Sequence, residues 1–213
     1  MIRYTLLLAA VVTLAACDAT GPSAPSADAT GSSTPSASAS IDAADATVHD
    51  IRGKTLAQIR QSTARYQNAE LALADGYVPA SPCVFATDED GNEVAAMGYH
   101  YVNFGLIEGA MPDDSSSTVI DASAPEILLY EPTKNGRLRL VGVEFMASAA
   151  GSDWETPTLD GVEFEAHLTV DEQHGIPFPH YDLHVWTWRN NPDGMFKGHN
   201  PKVSCEYAPA PEA

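Results

Sequence analysis

His180, Asp182 and His184 alternate along the run His180-Tyr181-Asp182-Leu183-His184-Val185-Trp186-Thr187-Trp188. Alternate side chains of a strand share a face. Extended throughout, this run would set two imidazoles, a carboxylate and the indoles of Trp186 and Trp188 on one side. Tyr181, Leu183, Val185 and Thr187 would form an ordinary core face on the other. Neighbours on one face stand about 6.6 Å apart along the strand, so two of them can aim nitrogen at one divalent ion while a third ligand arrives from elsewhere. His100 and Glu144 are the candidates for that third place, which makes the expected metal set His100, Glu144, His180 and His184. Zinc accepts His and carboxylate ligands, and an open position on it permits hydrolysis. Iron, copper and manganese take the same ligands. If no transition metal binds, the aromatics offer a different chemistry. Tyr99, Tyr101, Trp186 and Trp188, with Trp154 and Phe196, would wall a cleft for a small ligand. The bland alternative is a row of hydrogen-bonded, half-buried histidines with two tryptophans capping a core. No Gly-x-Ser-x-Gly and no phosphate-cradling glycine loop occurs, so nucleophilic and nucleotide chemistry find little support.

The elements that must position these groups are legible in part. Glu126-Ile127-Leu128-Leu129-Tyr130-Glu131 and Leu138 to Met146 flank Asn135-Gly136, a strong hairpin signal. A two-residue loop predicts Glu131 opposite Leu140 and Ile127 opposite Glu144. Glu131 and Glu144 would then be offset by about 13 Å, too far to serve as one carboxylate pair. The second strand of this hairpin is apolar on both faces, which predicts a central place in its sheet. Cys83-Val84-Phe85 is expected to pair with Val94 to Asn103 across Asp88-Glu89-Asp90-Gly91-Asn92. That turn resembles the start of a calcium loop, but Glu93 and Tyr99 stand where the EF-hand needs Gly and Glu, so a hairpin turn is expected. Thr55 to Ala74 reads as one amphipathic helix, with Leu56, Ile59, Thr63, Tyr66 and Leu73 on its apolar face, stopped by Asp75-Gly76. A helix followed by strands predicts an α+β domain: an N-terminal amphipathic helix packed on a mostly antiparallel sheet or partly closed barrel. Segments 104–123 and 147–179 are long for loops.

The chain of 213 residues carries a net charge of −18, which repels nucleic-acid phosphates. No nucleic-acid partner is expected. Residues 18–48 are Ala, Ser, Thr, Gly, Pro and Asp apart from Ile41 and Val48, too little apolar surface to offset the entropy of ordering them. They read as a tether spanning about 30 Å. Cys83 and Cys205 are the two cysteines of the remaining domain. In an oxidising compartment they are expected to form a disulfide, for which the chain-entropy model gives roughly 5 kcal/mol.

Arg3, the apolar run Leu6 to Ala16 and the tetrapeptide Leu14-Ala15-Ala16-Cys17 resemble the signal and lipobox of a bacterial lipoprotein. The run is too short to span a bilayer. The resemblance implies a signal peptide over 1–16, lipidation of Cys17, a tether over 17–50 and one globular domain over 51–213. It also implies a place in the bacterial cell envelope, outside the cytoplasm, with the lipid bilayer as partner through the lipid anchor. The stretches His180 to Trp186, Asn191-Pro192-Asp193-Gly194-Met195-Phe196 and Asn200-Pro201-Lys202-Val203-Ser204-Cys205 are similar to a family of bacterial secreted proteins without an established activity. So are Asp75-Gly76-Tyr77 and Gly98-Tyr99-His100-Tyr101-Val102-Asn103. That resemblance implies one coherent domain and supplies no catalytic residue. The functional expectation is an anchored domain binding a small ligand or one divalent transition metal. A metal-dependent hydrolase or oxidoreductase is the second reading, and a passive envelope interaction module the third.

Overall fold

The described residues form nine strands, β1 (Val78–Pro79), β2 (Val84–Thr87), β3 (Glu93–Val102), β4 (Ile127–Pro132), β5 (Leu138–Ser148), β6 (Thr158–Leu159), β7 (Val162–Glu163), β8 (Glu165–His167) and β9 (His180–Val185). The computed structural model describes residues 43–110, 120–149, 156–169, 176 and 178–209, with side chains from Gly53 onward and without those of 108–110. These residues belong to one compact unit, Ser40–Ala213. The expected signal segment, Cys17, Trp154 and the tether up to residue 42 lie outside them. No helix of the described residues is long and apolar enough to cross a membrane.

Seven strands make one antiparallel sheet in the order β1-β3-β4-β5-β9-β8, with β2 also on β3, while β6 and β7 pair separately. The path is open at both ends, so among the described residues no barrel closes. β5 is central and buried on both faces, as its continuous apolar run requires. One face of the sheet packs Leu128, Tyr130, Val143, Phe145, Leu183 and Val185 against Ile59 and Ala72 of the helical segment. The opposite face carries Val102, Ile127, Leu129, Val141, Met146 and Trp186 beneath Val203 and Cys205.

The helical segment is not one helix. α1 (Ala43–Thr63) passes through a 3-10 turn (Ala64–Gln67) to α2 (Ala69–Ala74), and α3 (Phe104–Ala110) follows β3. Asn68 causes the break. Its backbone is extended and its side chain accepts from the Glu70 amide at 3.1 Å, a competition with the helix that Asn wins at caps. The expected stop holds. Gly76 has φ +95°, and Tyr77 N and Gly76 N donate to Ala72 O and Leu73 O, the paired bonds of a Schellman end.

The central hairpin differs from expectation at its tip. Gly136 N donates to Thr133 O at 2.8 Å and Thr133 N to Arg137 O at 2.9 Å, while Gly136 has φ +75°. The loop is therefore three residues, Lys134 to Gly136, with glycine in the left-handed position. Glu131 faces Arg139 rather than Leu140. A register shift between Leu129 and Tyr130 then absorbs one residue of β5 and restores Ile127 opposite Glu144, as expected.

Glu126, at the foot of β4, is buried and accepts from Met146 N at 3.0 Å. Burial pushes its carboxyl up to about 7. A carboxyl raised in the fold gives stability that is whole below its unfolded value and is lost as pH climbs toward 7. Glu126→Gln is expected to match the parent at pH 4 and to exceed it by about 3 kcal/mol at pH 8. Urea titrations of both proteins at the two pH values check this, and equal midpoints at pH 8 would refute it.

Candidate metal centre

Glu144 interrupts the apolar run of β5 and faces His184 directly across the β5–β9 ladder. His100 stands two strands away on β3, paired with Leu129, which in turn pairs with Gly142. Its long side chain reaches over β4 to the same carboxylate. His100 Nε2 lies 3.4 Å from Glu144 Oε2, and His184 Nε2 lies 3.7 Å from that oxygen. All three residues are buried, and their donor atoms lie within 4.8 Å of one another. Two ligands of a tetrahedral ion with bonds of about 2.0–2.1 Å stand ~3.4 Å apart. The two contacts to Glu144 Oε2, at 3.4 and 3.7 Å, are close to that spacing.

Hydrogen bonding fixes which nitrogen of His100 faces inward. Ser81 Oγ donates to Pro82 O at 2.8 Å and accepts from the His100 amide at 3.1 Å. The 3.0 Å contact between Ser81 Oγ and His100 Nδ1 holds the ring with Nε2 toward the Glu144 carboxylate. Glu144 Oε2 and His184 Nε2 are themselves buried without a hydrogen bond. Two electron-rich atoms facing each other out of water need a proton or a cation between them.

The protonation of the metal-free cluster follows from its burial. Desolvation pushes Glu144 up to about 8, against the pull of His184. Burial works against charge on His184, yet Glu144 and Asp182 raise it to about 9. Near neutrality the cluster therefore holds protons that an entering ion would displace.

No family model, characterised protein or solved structure matches this chain. The reading of the site rests on its own geometry.

The expected residues separate into two groups. His100, Glu144 and His184 converge. His180 does not join them. Its Nδ1 donates to Phe178 O at 2.8 Å, and its Nε2 lies 3.9 Å from Asp182 Oδ2, on the far side of that carboxylate from His184. Of the described aromatics expected to line a cleft, Tyr99, Tyr101, Trp188 and Phe196 pack against the helix-side core, and Trp186 alone stays by the triad, stacked on His184 at 6.4 Å. Tyr101 meets Tyr130 edge-on at 4.8 Å. Trp186 is buried beneath the site, its ring over Gly142, where a Cβ would come within 3.1 Å of it. Trp188 faces the opposite side of the sheet and bonds Thr63 Oγ1 at 3.2 Å. The strand ends at Val185, and Thr187 N turns back to Val185 O at 2.9 Å. That tight turn breaks the alternation that would have kept Trp188 beside Trp186.

The sequence reading missed Glu165 and His167 of β8, and Asp193, Lys197 and His199 of the segment after β9. With Asp182 and the three converging residues they line a hollow of about 560 Å³. The signal for β8 was present in Glu163-Phe164-Glu165-Ala166-His167-Leu168, which alternates polar and apolar residues. A wider groove of about 780 Å³ lies at the tip of the central hairpin. Its carboxylate, Glu131, is already taken by Arg139 at 3.1 Å and the Ser204 amide at 3.3 Å, so it makes no comparable demand for a ligand.

Proposed function

We propose that this domain binds a divalent transition metal through His100, Glu144 and His184. The ion's remaining positions would face the polar hollow, where a small ligand joins it. The observation that supports this best is the meeting of three buried donor atoms, with the Glu144 oxygen and the His184 nitrogen left without hydrogen bonds. Two imidazoles and one carboxylate suit zinc with an open fourth position, and equally ferrous iron on one face of an octahedron. Asp182 Oδ1 stands 3.7 Å from His184 Nδ1, the place of the carboxylate that commonly backs a metal-bound histidine. The lipobox-like Leu14-Ala15-Ala16-Cys17 supports a setting on the outer side of a bacterial membrane, held by lipid.

A second reading, a metal-dependent hydrolase or oxidoreductase, draws on one feature. His167 and Lys197 line the same hollow as the triad, so proton donors would stand near a ligand bound to the ion. The test of the binding function is elemental analysis of protein purified without chelator. Zinc or iron in the triad is expected, and His100→Ala is expected to hold one equivalent less than the parent. Metal-free protein that takes up neither ion would leave the passive interaction module.

A further inference from the structure

Beside the triad, the β8–β9 ladder sets four more ligating side chains in a square. Glu165 faces Asp182 and His167 faces His180, each directly across the ladder, so all four share the face that carries His184. Like charges directly opposite on neighbouring strands are destabilising. Here two carboxylates oppose each other and two imidazoles oppose each other, one step along. Asp182 Oδ2 is 3.1 Å from His167 Nε2, and His167, Asp182 and Glu165 each offer an atom within 4.8 Å of the others. The His180 imidazole stacks on His167 at 5.2 Å. Because His180 Nδ1 donates to a carbonyl, which can only accept, its neutral form carries the lone pair on Nε2, toward Asp182. A cation among these groups would reconcile the opposed carboxylates, displacing the proton that His167 shares with Asp182.

We propose that Glu165, His167 and Asp182 hold a second divalent transition metal, so that one hollow contains two ions. Asp182 joins the centres. Its Oδ2 belongs to the second, and its Oδ1 faces the imidazole whose other nitrogen belongs to the first. Glu165 and His167 line the same hollow as His100 and Glu144, so a small ligand with two donor atoms can span both ions. The inference builds on the triad as a metal site, and the two ideas are separable because their ligands differ.

Equilibrium dialysis of the chelator-treated protein against zinc tests it, with cobalt absorption as a second readout and circular dichroism to confirm folding. The expected result is two ions in the parent, one in His167→Gln and one in Glu144→Gln. One ion in the parent, kept in His167→Gln and lost in Glu144→Gln, would overturn the second centre and leave the triad standing. One ion with the opposite response would overturn the triad and keep the second centre. No bound ion in any of the three would overturn both.

Discussion

Glu144→Gln is expected to leave the metal-free protein within about 1 kcal/mol of the parent at pH 6 and to remove about 3 kcal/mol of the stability that zinc confers. The two halves of this result have different causes. Burial raises the Glu144 carboxyl to about 8, so at pH 6 it carries its proton and a neutral amide of the same shape replaces it. The fold loses little. A ligand that binds only the native state stabilises it by about 4 kcal/mol at a thousand times its dissociation constant. Exchanging an anionic ligand oxygen for an amide should weaken the ion by roughly a hundredfold, close to 3 kcal/mol at fixed zinc. Urea melts with zinc and with a chelator measure both quantities. Equal zinc-induced shifts in parent and variant would mean that Glu144 is no ligand.

The separation of site from scaffold explains what could be read in advance. Ile127 opposite Glu144 and the central place of β5 were legible because a sheet's alternation propagates, and a local irregularity is corrected further along. The hairpin loop was off by one residue, and the shift in β5 cancelled the error before Glu144. No such correction existed past Val185. There one tight turn sent Trp188 to the other face, and nothing in Thr187 or Trp188 announces it. Alternation places His180, Asp182 and His184 in a row on one face. It cannot show that the His180 ring is tied back to Phe178 O, with Asp182 between it and His184. His100 could be named but not placed, because its distance from Glu144 depends on a strand crossing that only the sheet order reveals. Periodicity over a full window hides the helix break at Asn68, because one capping side chain decides the backbone locally. Gly98 shows the same limit from another side. It has φ +91°, and a Cβ there would stand 2.4 Å from Tyr130 O, a demand set by a neighbouring strand far along the chain.

Serine at both Cys83 and Cys205 is expected to cost roughly 5 kcal/mol of stability, the largest effect of any change considered. The disulfide joins residues 122 apart in sequence, and so long a closed loop removes much of the unfolded chain's freedom. The bridge also acts on the site. It ties the approach to β2 to the segment that covers the lower face, where Val203 and Cys205 pack with Trp186. That covering segment holds Asp193, Lys197 and His199 over the hollow. The segment is also held by the packing of Val203, by the paired backbone bonds between Ala96 and Asn200, and by hydrogen bonds from Trp186 Nε1 to Lys197 O, from Asn191 Nδ2 to His199 O at 2.9 Å and from Cys205 N to Glu93 Oε1 at 2.9 Å. Hydrogen bonds of this kind contribute about 1 kcal/mol each, so without the bridge the cover should open more often than the sheet unfolds. The double serine variant is therefore expected to release bound zinc to a chelator faster than the parent, even where its fold remains native by circular dichroism. Urea midpoints give the stability loss and chelator kinetics the opening. A variant that unfolds at the parent's midpoint would contradict the loop-closure argument. Unchanged release would show that the covering segment holds without its covalent tie.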